Sequence, residues 1–226
     1  MKLNSSTNVE KSTEAAIAPM QCYRKPWRVL NLYACLGGNR YKWEDCEITA
    51  VELDPELARL YQERFPNDKV VIADAHQYLL NHYKEFDFIW SSPPCQSHSK
   101  VRMMASKGGS YDAVMPDMRL WAEIIFLQNF TKNTDIKFVV ENVKPYYEPF
   151  VKPTAKLGRH LFWSNFEIPQ TEIKDGLTHN ERGSSEKGYF DLRPYKMEHR
   201  KDQIIRNCVD PNVGEYVFRC ALGNCM

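Results

Sequence analysis

The stretch RVLNLYACLGG, residues 28–38, joins a short apolar run to a pair of glycines. The run at 28–33 predicts a buried strand, and the chain then alternates strand-like and helix-like segments. Further strands are predicted at 47–52, 69–73, 86–90 and 136–140, and helices at 55–65 and 118–130. Asp54 and Pro55 are typical of an N-cap and a first helical position. This alternation predicts an α/β fold with an open, mainly parallel sheet.

Composition limits the class of protein and its surroundings. The 226 residues suffice for one sizeable core, and the formal charge of +1 restricts any nucleic-acid surface to a local patch. Seven cysteines without a Cys-x-x-Cys pair favour a reducing compartment over a disulfide framework or a zinc site. No apolar run approaches the ~20 residues that span a bilayer, and the N-terminal segment is polar. We therefore expect a cytoplasmic protein with neither a membrane nor a metal partner.

Special residues follow each predicted strand. In an open α/β sheet, ligands bind beyond the carboxyl ends of the strands, so we expect these residues to meet in one crevice. In strand order they are the pair Gly37-Gly38, Glu52, Asp74, the pair Pro94-Cys95, and the pair Glu141-Asn142.

The first three strand ends predict a nucleotide-type cofactor. Gly37 and Gly38 let backbone amides approach a ligand closely, although such a pair is often only a turn. Glu52 follows about 15 residues later, where nucleotide-binding α/β folds place an acid that accepts hydrogen bonds from ribose hydroxyls. Asp74 suits either an acceptor for an adenine amino group or the N-cap of the next helix. Because Gly-x-Gly-x-x-Gly is missing, a cofactor without phosphates, such as S-adenosylmethionine, fits better.

Cys95 follows two prolines at a strand end. Pro93 and Pro94 fix φ and remove two amide donors, and the resulting stiff loop suits a nucleophile. The alternative is a cysteine that serves only as a small buried hydrophobe. Glu141 is a candidate proton or hydrogen-bond donor to the substrate, or else a helix-start acid or a partner of Lys144.

Four motifs together resemble the DNA cytosine-C5 methyltransferases. NLYACLGG at 31–38 is similar to the family's Asp-Leu-Phe-x-Gly-x-Gly-Gly, and PCQ at 94–96 and ENV at 141–143 match its catalytic motifs. QIIRNCVDP at 203–211 is similar to the motif that closes the cofactor pocket. The resemblance covers residues 28–222 and implies a Rossmann-like class I S-adenosylmethionine-dependent methyltransferase fold, with flanking helices around the sheet.

The resemblance also implies roles for individual residues. Cys95 is expected to be the nucleophile, Glu141 the group that protonates or hydrogen-bonds the cytosine ring, and Arg159 a third catalytic residue. The residues expected to bind S-adenosylmethionine are Tyr33, Leu36, Gly37, Gly38, Glu52, Leu53, Asp74, Ala75, Pro94, Asn207 and Val209. Those expected to bind substrate are Gln96, Ser99, Asn142 and Val143.

The chemistry implied by the family explains the lone thiol. A thiolate adds to carbon 6 of cytosine, carbon 5 then takes the methyl group, and loss of the carbon-5 proton expels the thiol. A cytosine in duplex DNA must be flipped out to reach Cys95, which costs a few kcal/mol. Basic residues that could contact phosphates follow the cysteine, at Lys100, Arg102 and Lys107 before a hinge at Gly108-Gly109. A second group comprises Arg193, Lys196, Arg200, Lys201 and Arg206.

The chain departs from the family in three places. Asn31 and Cys35 replace an aspartate and a glycine of the cofactor motif, and Arg159 alone remains of an Arg-x-Arg pair. The long target-recognition region is reduced to a short variable segment at 171–200. We therefore expect a flexible lead-in at 1–21, a catalytic domain at 22–170, and a C-terminal segment at 201–226 that returns to it.

These departures leave three functions open. The first is a DNA cytosine methyltransferase of short specificity, of the restriction-modification or phage type, acting in a bacterial or phage-infected cell. The second applies the same chemistry to RNA or a free cytosine nucleotide. The third is a subunit whose partner chain supplies target recognition.

Overall fold

The computed structural model describes residues 25–173, 186–187 and 190–225. The segment predicted to be a flexible lead-in lies outside these residues, as does much of the short variable segment. The strands are β1 Trp27–Leu32, β2 Cys46–Glu52, β3 Lys69–Ile72, β4 Phe88–Ser91, β5 Lys137–Val143, β6 Ala155–Leu157, β7 His160–Ser164, β8 Glu186–Lys187 and β9 Phe190–Asp191. The helices are α1 Pro55–Arg64, α2 Ala75–His82, α3 Lys100–Lys107, α4 Arg119–Phe130, α5 Lys201–Asn207 and α6 Pro211–Ala221.

Seven strands form one sheet in the order β3-β2-β1-β4-β5-β7-β6. The pairs from β3 to β5 are parallel, whereas β5–β7 and β7–β6 are antiparallel. The mainly parallel α/β sheet predicted from the sequence is confirmed. The strand order reverses between β1 and β4, and the crevice at such a switch point is where these folds bind ligands.

The sheet is covered on both faces, which is why its strands are almost continuously apolar. Along β1, Val29 packs into the core on one face and Leu30 and Leu32 into the core on the other. The first core includes α6, where Phe218 stacks on Trp43 at 5.0 Å between ring centroids. The second core lies beneath α2 and α4.

The predicted start of α1 is confirmed in detail. Asp54 is the N-cap, and its Oδ1 accepts hydrogen bonds from the backbone N–H groups of Glu56 at 2.8 Å and Leu57 at 3.1 Å. Pro55 occupies the first helical position, where its missing N–H leaves no bond unmade.

The predicted end of the fifth strand is wrong. β5 does not stop at residue 140 but continues through Glu141 and Asn142 to Val143. Its parallel pairing with β4 ends at Val140, and the antiparallel partner β7 then supports the next three residues. Glu141 and Asn142 therefore lie in a strand that projects past β4, instead of in a loop.

Candidate active site

The strand ends singled out in the sequence meet at one edge of the sheet. Leu32 of β1 lies beside Val51 of β2 and Ser91 of β4, so the segments that follow these strands are neighbours. Ser91 in turn pairs with Val140, immediately before Glu141. The two loops named here after their predicted roles, the cofactor loop at residues 33–38 and the catalytic loop at residues 92–99, thus lie at the same edge of the sheet.

The cofactor loop turns sharply through left-handed backbone. Tyr33, Cys35 and Gly37 have φ values of 56°, 47° and 72°. A Cβ on Gly37 would lie 2.4 Å from the Phe65 ring, so glycine is required both by conformation and by the contact with α1.

Gly38 packs against the C-terminal part of the chain. A Cβ there would lie 2.4 Å from the Val209 carbonyl oxygen. The same loop brings Cys35 Sγ to 4.0 Å from Cys208 Sγ. The two glycines were predicted to make room for a ligand, and in the structure they also make room for the protein itself.

Glu52 connects the first two strand ends. Its Oε2 accepts a hydrogen bond from the Cys35 N–H at 2.8 Å, and its Oε1 accepts one from the Asp54 N–H at 3.0 Å. Each carboxylate oxygen has a further lone pair, so these bonds leave capacity for two ribose hydroxyls. Leu53, with 64% of its surface exposed, and Ile72, with 57%, lie at the neighbouring strand ends and offer apolar surface to an adenine ring.

Asp74 is the N-cap of α2, one of its two predicted roles. Its Oδ1 accepts a hydrogen bond from the Gln77 N–H at 2.9 Å. Oδ2 lies 3.5 Å from the Arg119 guanidinium and is the oxygen that remains for a ligand. The adenine role stays a prediction.

The other predicted cofactor residues differ in exposure. Leu53, Pro94 and Asn207 are exposed, whereas Leu36, Ala75 and Val209 are buried. Leu36 packs between α1 and α5, so only its backbone can reach a ligand. Together, carboxylates, exposed apolar side chains and a tight backbone turn fit an adenosine-type cofactor.

The catalytic loop is fixed at several points around Cys95. The Asn142 side-chain amide donates a hydrogen bond to the Pro93 carbonyl at 2.8 Å. The Trp90 indole N–H donates to Ser92 Oγ at 2.8 Å, and the His98 N–H donates to the Cys95 carbonyl at 3.1 Å. The stiffness predicted from two prolines is thus reinforced from β4 and β5.

Cys95, Glu141 and Arg159 lie together, and their charges act on one another. Burial raises the pKa of the Cys95 thiol to about 11, the Glu141 charge adds to that rise, and the Arg159 charge opposes it. Burial also raises the pKa of Glu141 to about 7, against a hydrogen bond from Ser92 and the Arg159 charge. His160 Nε2 lies 3.8 Å from Glu141 Oε1. Near neutral pH the Cys95 thiol is therefore protonated, while Glu141 is partly ionised.

The predicted substrate residues occupy different positions around the loop. Asn142 is buried, and its side chain donates a hydrogen bond to the Pro93 carbonyl in the catalytic loop. Ser99 caps α3, with its hydroxyl 3.5 Å from the Arg102 N–H. Gln96 and Val143 are partly exposed. Their contacts with substrate remain predictions.

The two predicted basic groups differ in their surroundings. Lys100, Arg102 and Lys107 lie on α3, which has no buried residue, and Arg102 stacks over the Tyr111 ring at 4.4 Å. In the C-terminal group, Arg193 pairs with Asp191, and Arg200 and Arg206 both pair with Asp202. These acids neutralise part of the second group.

Sequence reasoning missed Glu123, a fully buried carboxylate on α4. It accepts hydrogen bonds from Tyr33 and Ser91, next to the cofactor and catalytic loops. The signal was present, because Glu123 occupies the apolar stripe of α4 together with Leu120, Ile124 and Leu127. An acid on such a stripe requires a buried partner.

Two negative findings apply to the described part of the chain. Within it, no helix has the length and apolar character needed to cross a membrane. In the same residues, His, Cys, Asp and Glu side chains form no group of three or more that could hold a metal ion.

A family model described as C-5 cytosine-specific DNA methylase matches residues 27–149, just over half of the chain. The match includes the cofactor loop, Glu52, Asp74, Cys95 and Glu141. It ends before Arg159 and the C-terminal helices. The comparison with curated proteins found no match.

Solved methyltransferase structures are similar at low identity. A mutant of DNMT2 from Spodoptera frugiperda is 23% identical with a TM-score of 0.38, and the match covers 52% of this chain and 36% of that one. EhMeth from Entamoeba histolytica is 17% identical, with a TM-score of 0.35 and coverage of 53% and 39%. A SAM-dependent methyltransferase from Agrobacterium tumefaciens is 12% identical, with a TM-score of 0.37 and coverage of 54% and 40%. The matches thus span 36% to 40% of those structures.

Proposed function

Because the chain belongs to the family of C-5 cytosine-specific DNA methylases, we propose that it methylates carbon 5 of cytosine in DNA with S-adenosylmethionine as cofactor. The observation that carries this proposal is the position of Cys95, on a loop fixed by hydrogen bonds, within reach of the charge of the buried acid Glu141. A packing cysteine has no need of a neighbouring carboxylate, whereas addition of a thiolate to a cytosine ring requires both groups.

The crevice beside the cofactor loop is the proposed cofactor site. Glu52 would accept hydrogen bonds from the ribose hydroxyls, Leu53 would pack on the adenine, and Asp74 Oδ2 would accept from its amino group. Gly37 and Gly38 would keep the turn of the loop close to the ligand, and Tyr33 is the first residue of the loop. S-adenosylmethionine, when bound, supplies the methyl group.

Cys95 is the proposed nucleophile. Its sulfur forms a bond to carbon 6 of the flipped cytosine, and the ring electrons shift towards carbon 5. Glu141 donates a proton or hydrogen bond to ring nitrogen 3, which stabilises the added electron density. After carbon 5 has taken the methyl group, a base removes its proton, and the electrons of that bond re-form the ring double bond. The sulfur leaves as a thiolate, and any proton given to nitrogen 3 returns to Glu141.

The same pair accounts for activation of the thiol. At neutral pH the free Cys95 is protonated, since its pKa is about 11. The Glu141 charge contributes to that high value, so a Glu141 that gains a proton also makes Cys95 more acidic. Transfer of the Cys95 proton to Glu141 would generate both the thiolate and the neutral acid that the addition needs.

Target recognition is proposed to depend on little of this chain. Segment 171–200 is short, and α3 carries exposed basic side chains beside the catalytic loop. We propose that α3 contacts the phosphates near the flipped base, and that a partner chain completes the reading of sequence. Without the partner, binding to arbitrary duplexes should be weak and sensitive to salt.

The decisive experiment traps the covalent intermediate. Fluorine at carbon 5 cannot leave as the proton does, so protein should remain bound to fluorocytosine-containing DNA after denaturation when cofactor is present. Cys95→Ser should abolish both this adduct and methylation, because a hydroxyl is a poor nucleophile without an activating base. Cofactor binding, measured by calorimetry, should persist.

Cys46→Ser is the matched control, since Cys46 lies at the start of β2, away from the crevice, and should leave the adduct intact. Fluorocytosine in RNA and in a free nucleotide should be offered in parallel. An adduct with RNA alone, or with the nucleotide alone, would show that this molecule, and not DNA, is the substrate. No adduct at all, from protein that binds cofactor, would contradict the catalytic assignment of Cys95.

A further inference from the structure

Glu123 joins three segments that border the proposed reaction centre. Its Oε1 accepts a hydrogen bond from the Tyr33 hydroxyl at 2.5 Å and lies 2.9 Å from His76 Nδ1. Its Oε2 accepts one from Ser91 Oγ at 2.6 Å. The side chain has 0% of its surface exposed, so neither cofactor nor substrate reaches it directly.

Burial of this carboxylate is costly, and it requires the partners observed. A buried carboxyl group is tolerated only when its oxygens are hydrogen-bonded, as both oxygens of Glu123 are. Charged groups that face His76 are Glu123, Asp74 and Arg119, and the hydrogen bond to Glu123 is the main reason that the pKa of His76 is raised. Because well-packed apolar residues often stabilise a core as well as a buried ion pair, stability alone does not explain such an arrangement.

The position of each partner indicates what the network controls. Tyr33 is the first residue of the cofactor loop and adopts left-handed backbone with φ 56°. His76 lies in the first turn of α2, beside the Asp74 cap. Ser91 is the last residue of β4 and is followed directly by the catalytic loop. The Glu123 carboxylate therefore connects the start of the cofactor loop, at Tyr33, to the residue before the catalytic loop, Ser91.

We propose that Glu123 is a positioning residue that couples occupancy of the cofactor site to the placement of Cys95. This inference rests on the proposed function, because it requires the cofactor and Cys95 to act on one base. A ligand that binds against Tyr33 changes the hydrogen bond between the Tyr33 hydroxyl and Glu123. Through its own hydrogen bond to Glu123, Ser91 transmits this change to the start of the catalytic loop. Transfer of the methyl group is then favoured only when the cofactor is in place.

The test measures coupling without any methylation. Alkylation of Cys95 by iodoacetamide is followed by mass spectrometry of its peptide, with and without saturating S-adenosylhomocysteine. In the wild-type protein the two rates should differ by about fivefold or more, the usual lower range of coupling between sites. In Glu123→Gln the ratio should fall to within about twofold of one, since this amide cannot accept all three bonds.

Two milder variants separate the arms of the network. Tyr33→Phe removes only the hydroxyl that donates to Glu123 and should weaken S-adenosylhomocysteine binding about tenfold. Ser91→Ala should change the alkylation rate and leave ligand affinity unchanged. In both variants the ratio of the alkylation rates with and without S-adenosylhomocysteine should fall close to one. They keep the proposal testable should Glu123→Gln fail to fold.

Ile124→Val on the same helix is the control for stability, because it removes a buried methylene without touching the network. It should preserve the coupling ratio even with a lowered melting temperature. A ratio that Glu123→Gln leaves at the wild-type value overturns the positioning role alone. Failure of the wild-type protein to bind S-adenosylhomocysteine would overturn the proposed function itself.

Discussion

Cys95 and Glu141 have pKa values displaced in the same direction, because burial disfavours the charged form of both groups. Cys95 also depends on Glu141, since a charged Glu141 adds to the rise in the pKa of the thiol. Arg159 opposes both rises, and its guanidinium is held by the Arg206 carbonyl at 3.2 Å. The protonation state of Glu141 therefore affects the acidity of the Cys95 thiol.

Glu141→Gln is predicted to make Cys95 more reactive towards iodoacetamide while slowing methylation. The amide removes the charge that raises the pKa of the thiol, and each unit by which that pKa falls gives about ten times more thiolate. The wild-type Glu141 is neutral below its pKa of about 7 and charged above it. The ratio of variant to wild-type alkylation rates should thus be near one in acid and rise as pH passes that value.

The control is Glu148→Gln, which removes an exposed acid a few residues away and should leave the Cys95 alkylation profile unchanged. Equal alkylation rates for Glu141→Gln and the wild-type protein at every pH would show that Glu141 does not set the acidity of Cys95. Methylation that proceeds at the wild-type rate in this variant would remove Glu141 from the reaction.

At the scale of secondary structure, Asp54 connects three elements. It caps α1, and its N–H donates to Glu52 at the end of β2. Its Oδ2 also pairs with His199 Nε2 at 2.5 Å, just before α5. One residue thus fixes the start of a helix, a candidate cofactor ligand and the approach of the C-terminal helices.

Asp54→Ala is predicted to lower the free energy of unfolding by about 1 to 2 kcal/mol, the usual cost of a lost N-cap. Asp54→Asn retains a good cap and loses only the charge that faces His199, a partly exposed pair, so it should cost at most about 1 kcal/mol. Urea unfolding monitored by circular dichroism measures both. Equal losses in the two variants would mean that the pair with His199, instead of the cap, stabilises this region.

At the scale of the whole molecule, the C-terminal helices pack against the cofactor loop and the first core. Gly214 of α6 lies so close to Asn39 that a Cβ would stand 2.0 Å from the Asn39 carbonyl oxygen. Asn39 in turn donates a hydrogen bond from its side chain to the buried Asn31 at 2.7 Å. The contact therefore extends from α6 to β1, on which the cofactor loop depends.

Gly214→Ala is predicted to destabilise the protein by about 3 kcal/mol and to weaken S-adenosylhomocysteine binding, because α6 must move away from Asn39. The control is Gly108→Ala, where a Cβ would meet nothing closer than 3.6 Å. Thermal unfolding and calorimetry measure the two effects. Wild-type stability for Gly214→Ala would show that α6 shifts without cost and that the close contact is unimportant.

Much of the scaffold follows from local sequence pattern. Strand alternation, the Asp54 cap and the order of the strand ends are encoded within short windows, where periodicity and turn chemistry act directly. Motifs at 31–38, 94–96 and 141–143 identified the family, because they combine residue types that its chemistry requires. Their convergence could also be predicted, since parallel strands bring their carboxyl ends to one edge.

Only the tertiary structure decided how these residues act. β5 continues past β4 because β7, some twenty residues later in the chain, supplies an antiparallel partner. The proposed role of Glu123 depends on its position, since Tyr33, His76 and Ser91 meet it from three distant segments. The raised pKa values of Cys95 and Glu141 arise in the same way, because burial and neighbouring charges exist only once the chain has folded.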